Sequence, residues 1–118
     1  MGRLTTHVLD TARGKPAADL KISLYRVREN LSLECLLNTQ TNADGRTADP
    51  LLQGPSLVIG TYELKFDVAP YFADQGTILP HPPFFDQITI RFSIADPLSH
   101  YHVPLLVSPW AYSTYRGS

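Results

Sequence analysis

An all-β sandwich or barrel is the fold class this sequence predicts, and two observations predict it. Short segments of alternating apolar and polar residues recur along the whole chain, and each is followed by a turn signal rich in Gly, Pro, Asn or Asp. Only one stretch reads as a helix, and at about two turns it decorates a sheet rather than building a layer.

The elements follow in order. "LTTHVLD" (4–10) is a strand that ends in the turn "TARGKPA". "LKISLYRV" (20–27) runs into "RENLS", and "LECLLNTQT" (33–41) into "NADGRT". In "GTYELKFDV" (60–68), Tyr62, Leu64 and Phe66 share one face, with Glu63, Lys65 and Asp67 on a wet one. Asp67 can then cap the helix "VAPYFADQ" (68–75), with Pro70 in its first turn and Gly76 at its end. In "DQITIRFSI" (86–94), Ile88, Ile90, Phe92 and Ile94 face inward and Thr89, Arg91 and Ser93 outward. "HYHVPLLVSP" (100–109) and "WAYSTYR" (110–116) close the set, with Tyr101, Val103, Leu105 and Val107 as core.

Totals exclude several classes. The 118 residues suffice for one domain, residues 1–118, and not for two. A hydrophobic share of 43% with 18% charged residues is that of a chain that packs a core. The net charge is −1 and no run of Lys or Arg forms a nucleic-acid footprint. Cys35 is the single cysteine, so no internal disulfide forms; it reads as a packed strand residue, not a nucleophile. No segment has membrane-spanning length and no signal peptide is visible, which points to the cytoplasm. "MGRLTT" fits a loose myristoylation pattern, but the strand beginning at Leu4 leaves little free arm.

Three strands break the wet-face rule. Thr5, His7 and Leu9 lie opposite the core residues Leu4, Thr6 and Val8. His102, Pro104 and Leu106 lie opposite the core face of their strand, and Ala111, Ser113 and Tyr115 share a face near the end. These second faces lack the Lys, Glu and Arg of a solvated sheet, so another copy of the chain is expected to cover them. Two histidines, His7 and His102, point to that covered surface. His100 and His102 share a face as zinc ligands can, but no third ligand sits nearby in sequence. "ADGRT" is a tight turn in which Asp44-Gly45 supplies positive φ, and Arg46 follows it at the start of a strand.

"THVLDTARGKPA", "TNADGRT", "YHVPLLVSPWAYST" and the terminal "YRGS" resemble, in this order and over essentially the whole chain, the 5-hydroxyisourate hydrolases, or transthyretin-like proteins. "PYF", "PFF" and "ITIRFSI" also sit where that family has similar segments. The resemblance implies a transthyretin-like β-sandwich of two four-stranded sheets with one short helix. It implies a homotetramer, a dimer of dimers, whose channel holds the active sites. The family's catalytic histidines match His7 and His102, its arginine matches Arg46, and its terminal tetrapeptide matches Tyr115, Arg116, Gly117 and Ser118. Transthyretin, the hormone carrier, has lysine, glutamate and threonine at the first three of these positions and lacks the tail.

The implied reaction opens the ring of 5-hydroxyisourate with water, after urate oxidation, without metal, organic cofactor or covalent intermediate. His7 and His102 would share water activation and proton shuttling, worth about 10²–10⁴-fold in rate. Arg46 would hold a carbonyl or oxyanion, worth roughly 3–4 kcal/mol in the transition state. Tyr115 and Ser118 would orient water or bind ring N–H groups, and Arg116 would contact substrate or anchor the tail. His100 receives no catalytic role. The alternatives are a non-catalytic carrier of a planar ligand on the same sandwich, and an adhesion module with polar outer faces.

Overall fold

The computed structural model describes residues 1–118. Its strands are β1 (Arg3–Thr5), β2 (Val8–Asp10), β3 (Lys15–Pro16), β4 (Lys21–Val27), β5 (Leu33–Gln40), β6 (Leu52–Gln53), β7 (Gly60–Asp67), β8 (Gln87–Ile94), β9 (His100–His102), β10 (Leu105–Val107) and β11 (Tyr112–Ser113), with one helix, α1 (Val68–Asp74). No helix is long and apolar enough to cross a membrane.

One sheet is an antiparallel ladder in the order β5-β4-β7-β8. The expectation of two four-stranded sheets meets a correction on the other side. There the strands form two ladders, β6-β1-β9 and β11-β10-β2-β3. Both are built from the same two chain segments: β1 pairs parallel with β9, and β2 parallel with β10, in one unbroken register. The break falls at Thr6 and Pro104. Proline has no N–H to donate, and the Thr6 hydroxyl donates to the Val103 carbonyl at 2.7 Å. Main-chain bonds from Val103 N–H to Thr5 O and from Leu105 N–H to His7 O, both 2.9 Å, carry the pairing across the gap.

The core lies between these layers. Leu4, Val8, Tyr101, Leu105 and Val107 meet Ile22, Leu24, Tyr62, Leu64, Phe66, Ile88 and Ile94, and all are buried. On β1, β2, β7, β8, β9 and β10 these are the faces the alternation predicts. Two outward positions behave otherwise. Glu63 is only 7% exposed despite its place among polar residues. Burial pushes its carboxyl pKa up, but hydrogen bonds from Arg91, directly opposite on β8, and from Lys65 overcome this and hold it below the usual value. Cys35, expected to be packed, is exposed. It sits on the edge strand β5, where a bulge opposite Leu24 and Tyr25 turns the ladder and neither face of the strand is fully covered.

Helix α1 starts where the sequence predicts, ends one residue earlier with Gln75 as its cap, and buries Val68, Ala69, Tyr71 and Phe72. Asp67 holds the cap position, yet its side chain makes no capping bond; it accepts from Gln87 Nε2 at 2.8 Å instead. Tyr71 links the helix to the second layer by donating to the buried Asp10 carboxylate at 2.8 Å. Burial and that carboxylate push the Tyr71 phenol far above its ordinary pKa, so it remains a donor.

Candidate active site

A polar cleft of about 400 Å³ opens at the end of the split layer, lined by Arg3, Thr5, Arg46, Asp49, His102 and Ser118 among others. Each wall comes from a different stretch of chain.

Arg46 is delivered by a turn. The Asn42 side-chain oxygen accepts the N–H groups of Asp44 at 2.9 Å and Arg46 at 3.2 Å, and Asn42 N–H donates to Arg46 O at 2.7 Å. Gly45 takes φ +76°, a left-handed conformation open to residues without a Cβ. Arg46 then forms an isolated antiparallel bridge with His7, where the sequence suggested the start of a strand. The His7 imidazole is half-buried and donates from Nε2 to the Asp44 carbonyl at 2.8 Å. A carbonyl can only accept, so this nitrogen carries the proton.

His102 enters from the facing strand. It is half-buried, and its Nδ1 lies 2.9 Å from Thr5 Oγ1. Partial burial first, then the positive charges of Arg46 and His7, hold its pKa below the ordinary 6.5. The ring is therefore neutral at neutral pH and has a lone pair to offer. The C-terminal tail is strapped to the same residue: His102 N–H donates to Gly117 O at 3.1 Å, and Gly117 N–H donates to His102 O at 2.7 Å. The tail was expected to run as a strand; only β11 does so, and the His102–Gly117 bridge holds the rest.

Arg46, His102 and Ser118 thus share the cleft, and His7 adjoins it through its bridge to Arg46. Tyr115 and Arg116 stand apart from this cleft. They line a neighbouring recess of about 230 Å³ with Ile90, Phe92 and Tyr101. The Arg116 guanidinium carbon sits 4.6 Å above the centre of the Tyr101 ring, a cation–π contact. His100 lies on the cleft wall and donates from Nε2 to Met1 O at 3.1 Å; no group of three or more His, Cys, Asp or Glu side chains gathers there. Thr5, Arg3 and Asp49 were not singled out from the sequence. For Thr5 a signal existed, its place on the His7 face, but its partner across the strands depends on register.

Gly117 is shaped by this packing. A Cβ at that position would lie 3.1 Å from His102 Cβ and 3.3 Å from His102 Cδ2. Gly117→Ala is expected to leave the thermal midpoint within about 2 °C, since the tail is on the surface. It should lower activity about tenfold by displacing the His102 ring. Calorimetry beside a rate assay checks both numbers.

The fold and this cleft define a small β-sandwich protein whose polar cavity is walled by Arg46, His102 and Ser118, with His7 bridged to Arg46 at its side. The model of the HIUase/Transthyretin family matches residues 4–117, and the chain belongs to that family. The 5-hydroxyisourate hydrolase of Ralstonia nicotianae is 56% identical over 118 residues, covering 100% of both chains. Among solved structures, an (S)-allantoin synthase superposes with a TM-score of 0.94 at 47% identity, over 99% of this chain and 44% of that one. The Klebsiella pneumoniae 5-hydroxyisourate hydrolase superposes with a TM-score of 0.79 at 39% identity, over 98% of this chain and 99% of that one.

Proposed function

We propose that this chain is a hydrolase that opens the ring of 5-hydroxyisourate to 2-oxo-4-hydroxy-4-carboxy-5-ureidoimidazoline in purine degradation. The observation that carries this reading is the convergence of Arg46, His102 and Ser118 on one polar cleft, with His7 bridged to Arg46 beside it. The curated relatives at 54–56% identity are named hydrolases, whereas sea bream transthyretin in complex with thyroxine is only 26% identical, which favours catalysis over the carrier reading.

Water oxygen bonds to the ring carbonyl carbon and one of its protons passes to an imidazole. Negative charge that develops on the carbonyl oxygen falls to the Arg46 guanidinium, a fixed cation with a planar donor fork. The C–N bond then breaks, the leaving nitrogen takes up the proton, and the new acid ionises. In this reading His7, its Nε2 proton donated to the Asp44 carbonyl, is held beside Arg46 and presents its other nitrogen for proton transfer. Ser118 lends its hydroxyl to water or a ring N–H. Tyr115 and Arg116 act through the tail, Arg116 by anchoring it on Tyr101.

The reading further takes residues 1–118 as one transthyretin-like hydrolase domain, working in the cytoplasm as a dimer of dimers. Half-exposed Leu9 and Leu106, paired on the outer face of the second layer, support the assembly, because that face lacks charge. Light scattering tests it, and a monomer at micromolar concentration speaks against it.

The test of function is ultraviolet decay of 5-hydroxyisourate made in the cuvette by urate oxidase. The chain should accelerate the decay. A base with a depressed pKa stays unprotonated to lower pH, so the acid limb of kcat/KM should fall below 6.5, the ordinary imidazole value. No acceleration at any pH overturns the reading.

A further inference from the structure

Most of the His102 ring is boxed in. Its Nδ1 edge meets Thr5 Oγ1 at 2.9 Å. Its opposite edge, at Cδ2, lies against Gly117, where any side chain would crowd it. The nitrogen left over is Nε2, which has no hydrogen-bond partner within the chain. A neutral imidazole carries one proton on one of two nitrogens, and the bond that one nitrogen makes decides what the other can do. If Thr5 donates to Nδ1, then Nε2 is an N–H donor. If Nδ1 donates to Thr5, then Nε2 is a bare lone pair.

We propose that Thr5 is the positioning residue that accepts the Nδ1 proton of His102, fixing the tautomer in which Nε2 is free to take a proton from water. The proposal rests on the hydrolase reading for what Nε2 then does. Three features of the site carry it. Thr5 and His102 occupy the same level of the parallel β1–β9 pair, so the backbone sets their distance. Thr5 is tied down on its own main chain, since its carbonyl accepts Val103 N–H at 2.9 Å, and its branched side chain is stiff about χ1. Its hydroxyl has no other partner in the chain, and Thr5 lines the cleft. With Nδ1–H donating to Oγ1, the hydroxyl proton is left to point at water or at a carbonyl of a bound ring. The cleft then receives a hydroxyl donor and a bare nitrogen acceptor side by side.

The experiment uses the full chain with 15N-labelled histidine, read by long-range nitrogen–proton correlation at neutral pH, together with steady-state kinetics. Thr5→Val keeps the shape and the strand preference and removes the hydroxyl; Thr5→Ser restores it. Native His102 should show a protonated Nδ1 and an unprotonated Nε2. Thr5→Val should move it toward the Nε2-protonated form and lower kcat about tenfold, the scale of one ordinary hydrogen bond, with KM within about twofold. Thr5→Ser should recover both the spectrum and kcat. A native spectrum with the proton on Nε2 overturns the proposal, as does a Thr5→Val variant that keeps the native tautomer and kcat. The native and Thr5→Val spectra test the tautomer without any substrate. A native chain with the expected spectrum and no activity on 5-hydroxyisourate would therefore sustain the role of Thr5 and remove the hydrolase reading instead.

Discussion

Replacing His102 by alanine is expected to lower turnover of 5-hydroxyisourate by about 10²–10⁴-fold, the usual worth of a positioned acid–base group. The fold should survive, because what His102 gives the architecture is main chain. Its N–H and C=O bond to Gly117, and its neighbour Val103 bonds to Thr5, with or without the imidazole. The side chain is only half-buried and leaves no large cavity. Circular dichroism and light scattering should therefore match the native chain while the rate collapses. Cys35→Ser, exposed on the far sheet's edge strand, should leave the rate unchanged. If His102→Ala keeps more than about a third of native kcat/KM, this imidazole is not in the machinery.

Gly45→Ala should damage both the fold and the site. Its φ of +76° is strained for any residue with a Cβ, at about 1–2 kcal/mol. The added Cβ would also lie 2.4 Å from the Val8 carbonyl oxygen, which is main chain inside a strand and already accepts Ala17 N–H at 2.9 Å. Relief requires the turn to move away from β2, and the turn carries both Arg46 and the carbonyl that holds His7. A loss of about 2–4 kcal/mol by urea denaturation is expected. Activity of the folded fraction should fall at least about tenfold, as the guanidinium leaves its place. Native-like stability with full activity would mean the turn does not position Arg46.

Much of this is legible in the amino-acid sequence. Alternation named the buried faces of β7, β8 and β10 residue by residue, because a strand's period is two and its core side must be apolar. Gly45 and Gly76 marked left-handed positions, since few other residues tolerate them. The candidate residues His7, Arg46, His102 and Ser118 come from the resemblance; Arg46, His102 and Ser118 line one cleft, and His7 lies beside it on the Arg46 bridge. What stayed hidden depends on which strand lies beside which. The partner of Thr5 is set by register, as are the shielding of Glu63 by Arg91 and the edge position that exposes Cys35. The split of the second layer at Pro104 was hidden too: a proline shows a missing donor, but its cost depends on the neighbour that needed the bond. Tyr115 and Arg116 follow one another in the same tail as Ser118, yet they turn toward a different recess.

The parallel pairing of β1 with β9 has a consequence for how the site can be carried. Thr5 and His102 are 97 residues apart in sequence and meet only when the whole chain closes on itself. The entropic cost of joining such distant ends grows only slowly with length, so it is tolerable in an intact chain. But no fragment that omits either end can hold the two imidazoles together, and no transplanted loop can carry them. The cleft belongs to the closed circuit of the chain and travels, between proteins or through truncation, only as a whole.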